Sequence, residues 1–155
     1  MADARTAAAL DAYVKLLRAG RSVLARVEPR LAAAGLTPTQ FGVLEAILHK
    51  GPLSQRELSR KVLTSAGNMT DLVDKLESRG LVHRARQKSD RRAVHVELTP
   101  AGSDLIEPLF ARHAGDITAA MAALSGEELR QLSDLLRRLG LAAESETLEV
   151  GLDDY

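Results

Sequence analysis

The chain has 155 residues, the usual size of one domain and enough to bury a hydrophobic core. It carries 21 basic and 21 acidic residues and no cysteine, which excludes disulfides, thiolate catalysis and cysteine-based redox sensing. No apolar run reaches about 18 residues, and the amino terminus, MADARTAAALDAY, lacks the apolar core of a secretory signal, so the cytoplasm is the expected compartment.

Leu10, Val14, Leu17, Leu24, Val27 and Leu31 recur at helical spacing and predict an amphipathic helix running to about Ala34, with Gly35 as its stop and a kink or break near Pro29. Thr37, Pro38, Thr39 and Gln40 form a capping box with proline at the first helical position. They open a short, mostly buried helix carrying Phe41, Val43, Leu44, Ile47 and Leu48. Ser54 to Glu57 is a second box, in which a serine oxygen and a glutamate carboxylate each satisfy an orphan amide at a helix start. In the next helix Met69, Leu72, Val73 and Leu76 share one face, and Asn68, Thr70, Asp71 and Lys75 lie opposite. Gly80 stops it. Leu81 to Arg86 and Ala93 to Leu98 alternate apolar and polar residues as half-buried strands do, around a basic turn, QKSDRR.

Thr99 and Pro100 begin a longer helix with Leu105, Leu109, Ile117, Met121 and Leu124, kinked near Pro108. Ser125 to Glu128 opens a last helix bearing Leu129, Leu132, Leu136 and Leu139, which Gly140 ends. The tail from Ala143, AESETLEVGLDDY, has five acids and no base, and is expected to be mobile or loosely packed.

Helix, turn, helix, strand, basic loop, strand is the order of a winged helix-turn-helix, a DNA-reading architecture. The charge distribution agrees. From Lys50 to Arg92 there are 11 Lys or Arg against 5 Asp or Glu, and the remainder holds 10 against 16. A basic centre between acidic arms suits a protein that presents one face to phosphates.

The pattern NMTDLVDKLESRGLV, the wing SDRRAVHVELTPAG with Asp90 and Arg92 at its D-x-R positions, and the flanking helices together resemble the MarR family of bacterial transcriptional regulators, over about residues 8 to 142. The resemblance implies a single domain over 1–155, mainly α with a small β-wing. In it a winged helix-turn-helix at 36–100 lies between dimerisation helices at 8–34 and 100–142, followed by the acidic tail at 143–155. It also implies a homodimer that binds double-stranded DNA. Matching the family pattern places Ala66, Asn68, Thr70 and Asp71 at base-facing positions. Asn68 can pair bidentately with adenine, and the Thr70 methyl can touch a thymine methyl. Asp71 departs from the usual neutral or basic residue; it either accepts from a cytosine amino group or pairs with Lys75 within the helix. Phosphate contacts are expected from Ser54, Gln55, Ser65 and Lys75, although capping alone explains Ser54. Lys88, Arg91 and Arg92 offer cations for a narrow minor groove, with Asp90 holding Arg92.

The family also suggests a small-molecule pocket for phenolic or aromatic carboxylate effectors, for which Tyr13, Arg18, Phe41, His49 and His113 are the candidates. His49, His83, His95 and His113 show no local metal-ligand spacing, and no cofactor is implied. No tryptophan is present, which removes a residue of the urate-responsive branch. Catalysis finds no support: there is no glycine-rich phosphate motif, no H-E-x-x-H and no triad spacing. A winged-helix adaptor for protein partners is the competing reading, but it needs no basic wing beside a polar helix.

Overall fold

In the computed structural model, which describes residues 3–62, 64, 66–90 and 92–150, the chain is mainly helical with one two-stranded antiparallel sheet. Its internal contacts divide it into Met1–Ala120 and Met121–Tyr155.

In the first unit, α1 (Ala4–Ala33) starts at Asp3, whose carboxylate accepts the Thr6 amide at 2.7 Å. It ends at Gly35, with φ at 70°, a conformation glycine adopts without a Cβ penalty. Helix α2 (Pro38–Lys50) opens on the reciprocal Thr37–Gln40 box, with both bonds formed at 3.0 and 3.1 Å. Helix α3 (Gln55–Val62) opens on the Ser54–Glu57 box. Helix α4 (Ala66–Ser78) follows and ends at Gly80, again with φ at 70°. Strands β1 (Val82–Arg86) and β2 (Val94–Leu98) pair from Val82 opposite Leu98 to Arg86 opposite Val94. Leu53 adds a one-residue bridge to the other edge of β2, exchanging both backbone bonds with Val96 at 3.2 and 2.7 Å. Sequence periodicity carries no trace of this bridge, because a single residue has no period.

Helix α5 (Pro100–Ala120) is capped by Thr99, whose hydroxyl accepts from the Gly102 amide. Five elements converge on one core: Val43 and Leu44 from α2, Leu58 from α3, Met69, Val73 and Leu76 from α4, Val96 from β2 and Ile106 from α5 are all fully buried. Burying each such side chain contributes roughly 1.5–3 kcal/mol. Helix α1 packs on α5, where Arg30 Nη2 donates to Asp116 Oδ1 at 2.9 Å and Arg30 Nε donates to Oδ2.

The expected breaks at Pro29 and Pro108 do not occur: α1 and α5 run through both prolines as single helices. Each proline is exposed, as are Ala25 and Asp104, the residues whose carbonyls lose a partner. Water can therefore satisfy the freed carbonyl, and the packing on either side holds the helix together. Helix α5 nevertheless stops at Ala120, so Met121 and Leu124 lie beyond it.

The second unit contains α6 (Gly126–Val150), opened by the Ser125–Glu128 box. Gly140 does not end it. A helix stop of that kind needs positive φ, which among the described residues is found at Gly35, Gly51 and Gly80. An interior glycine costs a helix only about 1 kcal/mol relative to alanine. The helix thus continues into the acidic segment expected to be loose. Residues 151–155 lie outside the described residues. No single described helix is long and apolar enough to cross a membrane.

Two predictions follow from the first unit. A Cβ on Gly102 would stand 2.0 Å from the carbonyl oxygen of Leu81. Gly102→Ala should therefore destabilise the protein by about 1–3 kcal/mol in urea unfolding. Gly115→Ala, with nothing within 4 Å, should be neutral or stabilising by up to about 1 kcal/mol. The second concerns pH: the Arg30 hydrogen bond, opposed by burial and aided by the Arg30 charge, holds the Asp116 carboxyl below its ordinary 3.8. A depressed carboxyl stabilises fully above the unfolded value and loses that contribution as pH falls through the folded one. The difference in unfolding midpoint between the native chain and Asp116→Asn should stay constant from about pH 5 to 8 and close at pH below 3.8.

Candidate nucleic-acid interface

The short α3 and the longer α4 form a helix pair because each has one face that must be dry. Leu58 anchors α3, and Met69, Val73 and Leu76 anchor α4. With that side of α4 fixed, Asn68, Thr70, Asp71, Asp74 and Lys75 are left on the exposed side. This is the polar face expected of the reading helix. Ala66 is the first residue of α4.

A guanidinium that the sequence expectations omit holds the two helices and the wing in register. Arg84, in β1, donates from Nη1 to Glu77 at 2.6 Å and from Nη2 to Asp74 at 2.6 Å, both on α4. Its Nε donates to Gln55 Oε1 on α3 at 3.0 Å, and its backbone amide donates to the other oxygen of Glu77. Gln55 in turn donates from Nε2 to Thr70 Oγ1 at 3.1 Å. Burial of Arg84 opposes its charge, but the hydrogen bonds and charges of Asp74 and Glu77 outweigh it and raise the guanidinium pKa further. The signal was available, since Arg84 is in phase with the buried Val82 and pairs with Val96. A cation on the inward side of a strand requires carboxylates nearby.

Gln55 was expected at a phosphate, yet both ends of its amide engage protein groups. Ser54 completes its capping box, its hydroxyl also donating to Glu57; these bonds hold the Glu57 carboxyl below its ordinary value. Asp71 and Lys75 are both exposed, and the ion pairs among the described residues do not include the intrahelical one considered for them.

In the wing, Asp90 Oδ1 accepts the backbone amide of Arg92 at 2.9 Å, and the Asp90 carbonyl accepts the Ala93 amide. Asp90 therefore shapes the turn through the backbone, which corrects the expectation that it grips the Arg92 side chain. Lys88 and Arg92 are exposed. Ser65 and Arg91 lie outside the described residues.

The effector candidates separate into groups. Phe41 and His113 are buried with ring centroids 4.5 Å apart, and His113 Nδ1 has no hydrogen-bond partner. His49 instead meets Phe110 edge-on at 4.6 Å and borders a cavity of about 320 Å³ with Gly42, Glu45, Lys50 and Lys61. Tyr13 and Arg18 stand on the exposed amino-terminal half of α1, without a hydrogen bond or ring contact to the others.

Residues 36–94 match the MarR family. The chain is 34% identical over 139 residues to the HTH-type transcriptional regulator MhqR of Bacillus subtilis (strain 168), covering 90% of this chain and 96% of that one. Among solved structures it is similar to CouR from Rhodococcus jostii RHA1 bound to p-coumaroyl-CoA, at 28% identity and TM-score 0.78 over 83% of this chain and 91% of that one. It is also similar to a cysteine-to-serine mutant of MarR from E. coli complexed with operator DNA, at 25% identity and TM-score 0.70, covering 80% and 89%.

Replacing Arg84 by Met leaves Asp74 and Glu77 without their cation, and should lower stability by roughly 1–2 kcal/mol, discounted for the exposure of the carboxylates. Gln55→Ala, which removes only neutral partners' bonds and one charge-assisted one, should cost less. Urea unfolding of the two variants beside the native chain checks the order.

Proposed function

The chain belongs to the MarR family, and on that premise we propose that it is a DNA-binding transcriptional regulator, a ligand-responsive repressor that occupies a pseudo-palindromic operator as a homodimer. The observation that carries this reading is the exposed polar face of α4 beside a cationic wing, on a helix whose opposite face is locked in the core. A helix in the major groove reads donor and acceptor patterns on base edges, with its amino-terminal residues nearest the bases. Ala66, Asn68, Thr70 and Asp71 are the proposed base-facing residues. Ser54, Ser65 and Lys75 are assigned to phosphates, and Lys88, Arg91 and Arg92, on the turn shaped by Asp90, to the minor groove. The operator-bound MarR structure supports this reading.

Dimerisation is supported by apolar surface that one chain leaves in water. Leu10 and Tyr13 of α1 are each 59% exposed, and Leu135 and Leu139 of α6 are 58% and 56% exposed. Side chains of this size favour burial by roughly 1.5–3 kcal/mol each. We assign 8–34 and 100–142 to that interface, and 36–100 to DNA. Two-fold symmetry then sets half-sites about one helical turn apart.

For the effector we infer a small phenolic or aromatic carboxylate, in keeping with the p-coumaroyl-CoA bound to CouR. Phe41 and His113 supply aromatic faces and an unpartnered ring nitrogen. His49 borders the cavity, and Tyr13 and Arg18 supply a phenol and a cation from α1. Such a ligand releases DNA by binding better to the state whose reading heads do not match the operator spacing. We assign no catalytic role to any residue, the relatives being transcriptional regulators. The site of action we infer is the cytoplasm.

Binding to the protein's own upstream DNA across a salt series, with a scrambled duplex of equal length beside it, tests the reading. Tight, salt-sensitive preference for the upstream DNA is expected; equal weak binding to both, and to every fragment in a genome-wide selection, would refute it. Arg92→Ala should weaken operator binding and reduce the slope of log K against log salt by about 1. An unchanged slope would remove Arg92 from the DNA contact.

A further inference from the structure

Thr70 is exposed on the polar face of α4, and its hydroxyl is held from outside the helix. The hold is relayed. Asp74 and Glu77 fix the Arg84 guanidinium, and Arg84 Nε donates to Gln55 Oε1 at 3.0 Å. That bond decides which way the Gln55 amide faces, because the reverse orientation would set an NH2 group against the N–H of the guanidinium. Gln55 Nε2 is thereby directed to Thr70 Oγ1, at 3.1 Å. In a helix, threonine divides between two χ1 rotamers. Oγ1 and the methyl are attached to the same Cβ, so fixing one fixes the other.

We propose that Arg84 and Gln55 are positioning residues for base recognition: through their hydrogen bonds they select the Thr70 rotamer that presents its methyl group to the methyl of a thymine. The thymine methyl is a major-groove mark that no other base carries. The inference rests on the reading of α4 as the DNA-contacting helix. It replaces the phosphate role expected for Gln55 with an indirect role in specificity. The relay also explains why a strand residue outside the reading helix is engaged by three of that helix's side-chain oxygens and one glutamine.

The experiment uses the full-length protein and the duplex it selects from random DNA, with each thymine replaced in turn by uracil, which lacks only the methyl. The native chain should lose about three- to fivefold in affinity at one position in each half-site, the scale of one buried methyl. Gln55→Ala should bind the thymine and uracil duplexes alike, with its affinity for scrambled DNA and its salt slope unchanged. Arg84→Lys, which keeps the charge but loses the directed Nε bond, should show the same loss of preference. Thr70→Val presents a methyl from either branch. It should retain the preference for thymine, and adding Gln55→Ala in that background should change nothing.

A native protein that prefers its selected duplex over scrambled DNA but is indifferent to every uracil would overturn the relay and leave the regulator reading standing. So would an undiminished thymine preference in Gln55→Ala. Equal weakening of Gln55→Ala on all duplexes, with the salt slope reduced by about 1, would return Gln55 to a phosphate. Failure of the native protein to select any duplex would overturn both the relay and the DNA reading.

Discussion

The guanidinium of Arg84 is the constraint on which the reading half of the molecule depends. Hydrophobic packing seats α3, α4 and the wing on one core, but apolar contacts are non-directional and tolerate rotation of a helix about its own axis. A planar fork of donors does not. By joining Asp74 and Glu77 on α4 to Gln55 on α3 from a strand of the wing, Arg84 converts three separately packed elements into one surface with a fixed polar pattern. Lysine, with a single ammonium, could not meet three partners in one plane. Arg79 performs a related task at the other end of α4, where its guanidinium donates to the carbonyls of Gly35 and Ala34 at the end of α1. A cation there also complements the negative end of that helix.

The parts of the fold legible in the sequence are those governed by nearest neighbours. Three S/T-x-x-E/Q boxes marked helix starts, and Gly35 and Gly80 marked stops, because capping is decided within about four residues. The stripe of Met69, Val73 and Leu76 was legible for the same reason. Pro29, Pro108 and Gly140 misled because their local penalties, about 1 kcal/mol for glycine and about 3 for proline, are smaller than the gain from continuing a helix with an otherwise favourable sequence. The acids of the last helix argued for a loose tail on similar local grounds, being at the end where the helix dipole disfavours them.

At the site, periodicity sorted residues between the buried and exposed faces of α4 but could not show what joins that face to its neighbours. The bond between Arg84 and Gln55 spans 29 residues and that between Gln55 and Thr70 spans 15. Nothing in a short window reports such a pairing. The effector candidates show the limit from the other side: Phe41 and His113 are far apart in sequence but stacked in space, while Tyr13 and Arg18 share a helix without joining them. The unpartnered Nδ1 of the buried His113 is visible only in three dimensions.

Leu81 is a mechanical joint. Its amide bonds to the Leu76 carbonyl of α4, its carbonyl accepts the Thr99 amide at the start of α5, and Gly102 leaves no room for anything but a hydrogen beside it. The wing hairpin therefore behaves as a short beam clamped at its root, with both strands fastened within one residue of the same peptide group. A load applied at its tip is delivered as a torque to that peptide, and from there to two helices at once. A lengthened hairpin would apply the same pull with a longer lever arm, so the reach of the wing and the stiffness of its mounting are set by a single backbone contact.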